Sequence, residues 1–346
     1  MSVALIIILI SRRVNIALSL GVGAFLYGIL SLGRDVIGAT LRAFNTTMLE
    51  VVSALVLAMF LAELFNSMGI SARMVRGLGF FGEKFAAISA PAVVGLLPMP
   101  GGAYVSAVMT KPLYDEMRLS PHEETFVNYW FRHIWVTSWP LFQGVILAAG
   151  ILGTSTQNII RVTWPVTVIS VFTGLLIALP RLRRVEGFRG DGSELIHLWP
   201  FFLIGFLSVA LGINIAVSVA ITILVFILVY RPRREHYVRA AKYALNITIV
   251  LLIILSLVFS EYIRENSLSS LLAETLKPLG NLILYLVPFV IGFATGAEFT
   301  YIALGLPPLI PLLSGHGLVF AFTGGYMGVM LSPAHSCLIL SVQHYK

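Results

Sequence analysis

Long apolar stretches alternate with short polar connections along the whole chain. The apolar runs approach the roughly 20 residues needed to span a bilayer as helix, and they lack the alternation of membrane strands. This pattern predicts an all-α polytopic membrane protein. Nine spans are predicted, at about 2–11, 14–32, 46–68, 126–152, 163–180, 196–212, 213–230, 244–262 and 318–341. Two further apolar stretches, 86–107 and 281–313, are interrupted by proline and glycine. The first carries Pro91, Pro98, Pro100, Gly101 and Gly102; the second carries Pro288, Gly292, Gly296, Pro307, Pro308 and Pro311. Such clusters break a continuous spanning helix. Both stretches are therefore predicted to be re-entrant hairpins, each made of two half-helices that enter and leave by one face.

The basic residues orient this pattern. With the N-terminus outside and each hairpin returning to its own side, 17 Lys and Arg residues fall inside and 5 outside, with Arg132 inside a span. That asymmetry is what the positive-inside rule predicts. It places the N-terminus outside and the C-terminus inside, in a cell (inner or plasma) membrane.

The order of elements then repeats. Asn45-Thr46-Thr47, an apolar span, Glu63 and the first hairpin are matched by Asn246-Ile247-Thr248, an apolar span, Glu261 and the second. Under the topology above the hairpins enter from opposite sides, so two inverted repeats are predicted. Repeat one covers 1–152, a linking span with its basic loop covers 153–195, and repeat two covers 196–346. Paired units of this kind, each with a broken helix, mark secondary transporters whose site lies where the breaks meet.

Composition narrows the alternatives. Only 11% of residues are charged and mean hydropathy is +0.92, whereas soluble domains carry about a quarter charged residues. No separate soluble domain fits. The net charge of +7 lies in short loops between spans, which argues for membrane topology and against nucleic acid. The loop from Arg231 to Lys242 can bind anionic lipid headgroups or serve only as a topology determinant. The single cysteine, Cys337, excludes an intramolecular disulfide and multi-thiolate zinc sites; no metal or cofactor is expected. The apolar stretch Val3–Ile10 precedes Arg12 and Arg13, the order of an anchor span rather than of a signal peptide.

Candidate chemistry sits at the breaks. In the first tip, Pro98 and Pro100 stop the incoming half-helix, and Gly101 and Gly102 let the backbone turn. The outgoing half-helix, starting near Ala103 and including Ser106, would point its free N–H groups at the membrane middle as an anion site. A plain proline kink is the other reading. In the second tip, Thr295, Gly296, Glu298 and Thr300 offer oxygen ligands. Glu298 can carry a coupling proton or sodium, or be paired for packing. Asn128, Arg132, Trp139 and Gln143 recur at helical spacing in the fourth span. Arg132 can hold a carboxylate in bidentate fashion or snorkel to the interface; His133 can relay protons or be a satisfied histidine. In the last span Pro333 breaks the helix, and Ser332, His335 and Ser336 would share one face. Gly324, Gly325 and Gly328 fit close helix packing. No H-E-x-x-H, G-x-S-x-G or G-x-x-x-x-G-K-[ST] signature occurs, so an enzyme or ATP-driven pump is not expected.

Three segments, LLPMPGGAYVSA at 96–107, NYWFRHIW at 128–135 and GVMLSPAHSCL at 328–338, resemble the membrane family catalogued as domain of unknown function 401. That family is grouped with the ion-transporter superfamily, beside gluconate permeases, citrate and dicarboxylate carriers and arsenite carriers. The resemblance implies an elevator-type carrier with two hairpins flanking its site, often a homodimer. The Ser-Asn-Thr tips of the dicarboxylate carriers are absent; Pro98–Gly102 and Thr295–Glu298 stand in their places, and the Pro-x-Pro-Gly tip is closer to gluconate permeases. The expected function is a proton- or sodium-coupled secondary transporter of a small organic anion, a carboxylate or sugar acid, working by alternating access around a midplane site between the tips. The alternatives are a non-transporting receptor or scaffold with this fold, or a membrane-embedded enzyme.

Overall fold

A computed structural model describes residues 2–12, 14–99, 102–185, 189–266, 274–313 and 316–346. Among these residues the regular structure is entirely helical. Six helical stretches are long and apolar enough to cross a membrane: Ile16–Ala43, Thr46–Ser67, Thr156–Ala178, Gly192–Ala210, Ile247–Glu265 and Gly317–Tyr345. Shorter apolar helices occupy Gln143–Leu152, Ile215–Tyr230, Asn281–Thr295 and Glu298–Leu312. The chain is a multi-pass helical membrane protein.

The helices form two compact units, and neither is one continuous segment. One unit gathers Met1–Val56, Gln143–Thr163 and Leu245–His335; the other gathers Leu57–Phe142, Trp164–Ala244 and Ser336–Lys346. Both hairpins contain a true break. In the second unit, α1 (Glu83–Gly95) and α2 (Gly102–Glu116) are separated at the first tip. In the first unit, α3 (Asn281–Thr295) ends at Gly296, which adopts a left-handed φ of 63°, and Glu298–Leu312 follows as α4. Pro91 and Pro288 lie inside α1 and α3, so those prolines are not the breaks.

The repeated asparagines are helix caps. Asn246 Oδ1 accepts from the Thr248 and Ile249 N–H groups (3.1 and 3.3 Å), and Asn45 Oδ1 accepts from Met48 N–H at 3.1 Å. Each satisfies donors that the first helical turn leaves free.

In the first unit, α3 packs along α5 (Gly317–Leu331). A Cβ on Gly324 would lie 2.1 Å from the Tyr285 carbonyl oxygen, and one on Gly328 would lie 2.2 Å from that of Phe289. Both pairs are spaced by four, so the two helix backbones touch along one seam. Within lipid no hydrophobic force draws helices together, and such close dispersion contact takes its place. In the second unit, α1, α2 and α6 (Pro121–Arg132) enclose a core of alanines with Leu113, Tyr114, Met117, Val127 and Phe131. The final helix α7 (Ser336–Tyr345) joins it, the Tyr345 hydroxyl lying 2.9 Å from Thr110 Oγ1.

Two expectations are corrected here. The stretch 126–152 is not one helix: α6 ends at Arg132, residues 133–142 form turns, and the next helix starts at Gln143. Pro140 offers no N–H for a helical bond. The stripe Asn128, Arg132, Trp139, Gln143 therefore does not continue beyond Arg132. Likewise Ser332, His335 and Ser336 do not share a helical face. Helix α5 stops at Leu331, and Ser336 begins α7 after the Pro333 break.

Replacing Gly328 by leucine should separate the α3–α5 seam and destabilise the protein by about 3 kcal/mol or more. Thermal unfolding in detergent checks this. Gly205, whose Cβ position is open, should accept alanine without loss.

Candidate anion site

At the first tip, chain geometry follows from where the end carbonyls of α1 find donors. The Leu96 N–H bonds back to the Val93 and Val94 carbonyls, tightening the last turn. The Ala92 and Leu96 carbonyls instead accept from the Trp135 and Trp139 indoles at 3.0 and 2.9 Å. Two tryptophans from the non-helical stretch thus satisfy acceptors that a helix end leaves unmet. They also hold that stretch against α1. Gly95 completes the contact: a Cβ there would sit 2.2 Å from the Arg132 carbonyl oxygen, so the ends of α1 and α6 meet backbone to backbone.

Arg132 turns its side chain to the start of α2. A Cβ on Gly102 would lie 2.2 Å from Arg132 Nη2 and 2.6 Å from Cζ, so the guanidinium rests directly on the Gly102 backbone. Nη2 donates to the Met99 carbonyl at 3.4 Å. Arg132 is 6% exposed, and its Nε and Nη1 meet no hydrogen-bond partner among the described residues. None of the ion pairs among those residues includes it. Burying a cation with unmet donors is costly. Here the cation adjoins the N-terminus of a 15-residue helix, the end that favours negative charge. Donors, charge and dipole all ask for an anion.

One turn earlier, Asn128 is fully buried. Its Nδ2 donates to the Ala103 carbonyl and to Ser341 Oγ, both at 3.0 Å, tying α6 to α2 and α7. Its Oδ1 has no donor among the described residues. Ser106 is buried, but its hydroxyl bonds to the Ala103 carbonyl at 3.1 Å and serves its own helix. The Tyr243 hydroxyl, at the end of the amphipathic helix α8 (Arg234–Ala244), is also buried and unpaired. Burial pushes its pKa up; Glu63 adds to that rise and Arg132 opposes it.

The tip in the other unit is bonded to itself. Thr295 Oγ1 donates to the Ile291 carbonyl at 2.7 Å and contacts the Thr300 hydroxyl, which also bonds the Ala297 carbonyl. Ser332 Oγ donates to the Phe293 carbonyl at 2.6 Å. His335 Nδ1 lies 2.6 Å from the Gly296 carbonyl, which can only accept, so Nδ1 carries a proton. A Cβ on Gly296 would fall 2.6 Å from the Ala334 and His335 backbone. These contacts bind the α3 end to the Pro333 break. Glu298 opens the outgoing helix and is half-buried.

The expected residues fall into two groups, one within each unit. Asn128, Arg132, Gly102 and Ser106 gather at the α2 start with Pro98 nearby in sequence; Pro100 and Gly101 lie outside the described residues. His133 caps α6 with Nδ1 donating to the Tyr129 carbonyl at 2.6 Å. Thr295, Gly296, Glu298, Thr300, Ser332 and His335 gather at the other tip. Sequence reasoning missed Tyr243, Met99 and the Trp135 indole, and read Trp139 only as part of a helical stripe. No local pattern marks Tyr243, since it is one tyrosine on a basic amphipathic helix.

The membrane-length helices define a multi-pass helical membrane protein, in which Arg132 is buried and forms no ion pair among the described residues. The chain belongs to the family described as protein of unknown function DUF401, whose model matches residues 1–346. No curated protein matches it.

The two tip glycines should respond differently to alanine. Gly95→Ala meets backbone and should lower the unfolding temperature. Gly102→Ala meets only the movable Arg132 and Met99 side chains and should leave it nearly unchanged. Equal losses in a thermal melt would contradict the described seat of Arg132.

Proposed function

We propose that the protein is a secondary active transporter of a small organic anion, coupled to protons or sodium. The observation that carries this reading is the buried Arg132 guanidinium beside the α2 N-terminus, with Nε and Nη1 unmet. A guanidinium fork matches carboxylate geometry and gives charge-assisted hydrogen bonds that a lysine does not reproduce. A purely structural arginine at membrane depth would be expected to have a carboxylate or several carbonyls around it.

The order of elements supports a carrier further. A helical break and then a second one occur in the first half, at 96–99 and 133–142, and again in the second, at 296–297 and 332–335. We read these as two repeats of opposite orientation, the arrangement common in secondary transporters. Glu298 and His335, at the second tip, and His133, at the end of α6, are the titratable groups proposed to carry the coupling proton or to bind sodium. The motif likeness to gluconate permeases and citrate carriers in the ion-transporter superfamily agrees with an organic anion as cargo. The same reading places the protein in the cell membrane, N-terminus outside, as a homodimer.

Purified protein in proteoliposomes, screened with carboxylates, sugar acids and inorganic oxyanions, tests this. At least one anion should be taken up, and Arg132→Ala should reduce uptake by about tenfold to a hundredfold with the unfolding temperature retained. Arg132→Lys should recover only part of the loss. Uptake untouched in Arg132→Ala would remove this site from the transport path.

A further inference from the structure

The unmet groups around Arg132 are not all donors. Asn128 and Arg132 stand at i and i+4 on α6 and so share a helix face. The orientation of the Asn128 amide is determined by its partners: the Ala103 carbonyl only accepts, so the atom 3.0 Å from it is the nitrogen. The other atom is then Oδ1, an acceptor, wholly buried and without a donor among the described residues. One turn away, Arg132 offers Nε–H and Nη1–H with no acceptor among the described residues.

A bare carboxylate fits only half of this arrangement. Its oxygens accept and cannot donate. Seated on Arg132, it would leave the Asn128 oxygen unmet or face it with lone pairs, at the penalty of a buried unsatisfied acceptor. A neutral polyol fits the other half and leaves the guanidinium charge uncompensated. A single molecule meets both needs when an anionic oxygen pair and a hydroxyl sit on adjacent carbons.

We infer that the Arg132 site selects a carboxylate carrying a hydroxyl on the neighbouring carbon, with the carboxylate on Arg132 and the hydroxyl donating to Asn128 Oδ1. Asn128 is thereby the residue that separates a 2-hydroxy acid from its deoxy analogue. This deepens the anion-carrier reading and rests on it.

The test uses the full chain in detergent and matched ligand pairs: glycolate with acetate, lactate with propionate, and inorganic phosphate as an anion lacking the hydroxycarboxylate pattern. Dissociation constants are read from thermal shift. The hydroxy member of a pair should bind at least about tenfold tighter than its partner. In Asn128→Ala that preference should shrink towards one while affinity for the deoxy member is kept. The wild-type comparison stands alone if the variant fails to fold. Equal binding within pairs, or Arg132-dependent binding of phosphate but of neither pair, overturns this inference and leaves the anion site standing. A hydroxyl preference that persists in Asn128→Ala overturns the role of Asn128. Absence of any anion binding, with Arg132→Ala indistinguishable from wild type, overturns the anion site and this inference together.

Discussion

A guanidinium held out of water must be compensated, and among the described residues the compensation of Arg132 is incomplete. Arg132 spends one nitrogen on the Met99 carbonyl and rests on Gly102 at the start of a helix. The geometry around it follows from that seat. Residue 102 has no side chain, so the cation can lie against backbone. Gly95 lets the α1 and α6 ends touch, which brings Arg132 to the tip. The indoles of Trp135 and Trp139 occupy the α1 carbonyls, so the chain beyond Arg132 leaves the helix and does not bury the site under another turn.

The two tips solve a shared backbone problem with different chemistry. Each interrupts a helix within an apolar stretch of the chain, where the released groups need internal partners. At the second tip, side chains close the account internally: Thr295, Thr300, Ser332 and His335 all turn to neighbouring carbonyls. At the first tip, Ala92 and Leu96 are satisfied by indoles, while Arg132 and Asn128 retain unmet groups. That asymmetry is the basis of the anion site proposed at the first tip.

Glycine does two separate jobs in this fold. At Gly296 it supplies a left-handed turn that closes α3. At Gly95, Gly102, Gly324 and Gly328 it supplies absence of volume, letting backbone meet backbone or a planar cation. The α3–α5 seam shows why the latter matters in a membrane, where close packing must hold helices that hydrophobic burial cannot.

Much of this was legible in the chain itself. Apolar run lengths announced membrane helices, and clustered Pro and Gly announced the breaks near 98–102 and 296, because those residues remove donors or permit turns whatever surrounds them. Asn45 and Asn246 could be read as marks of helix starts, since capping is a local interaction. The tertiary structure alone decided the rest. Helical spacing suggested one stripe from Asn128 to Gln143 and one face from Ser332 to Ser336, and both failed where prolines and distant carbonyls redirected the chain. Nothing local says that Trp135 and Trp139 will find the end of α1, or that Gly102 will carry Arg132. Whether a buried polar group is paired or left open depends on partners tens of residues away, and that is a property of packing, not of spacing.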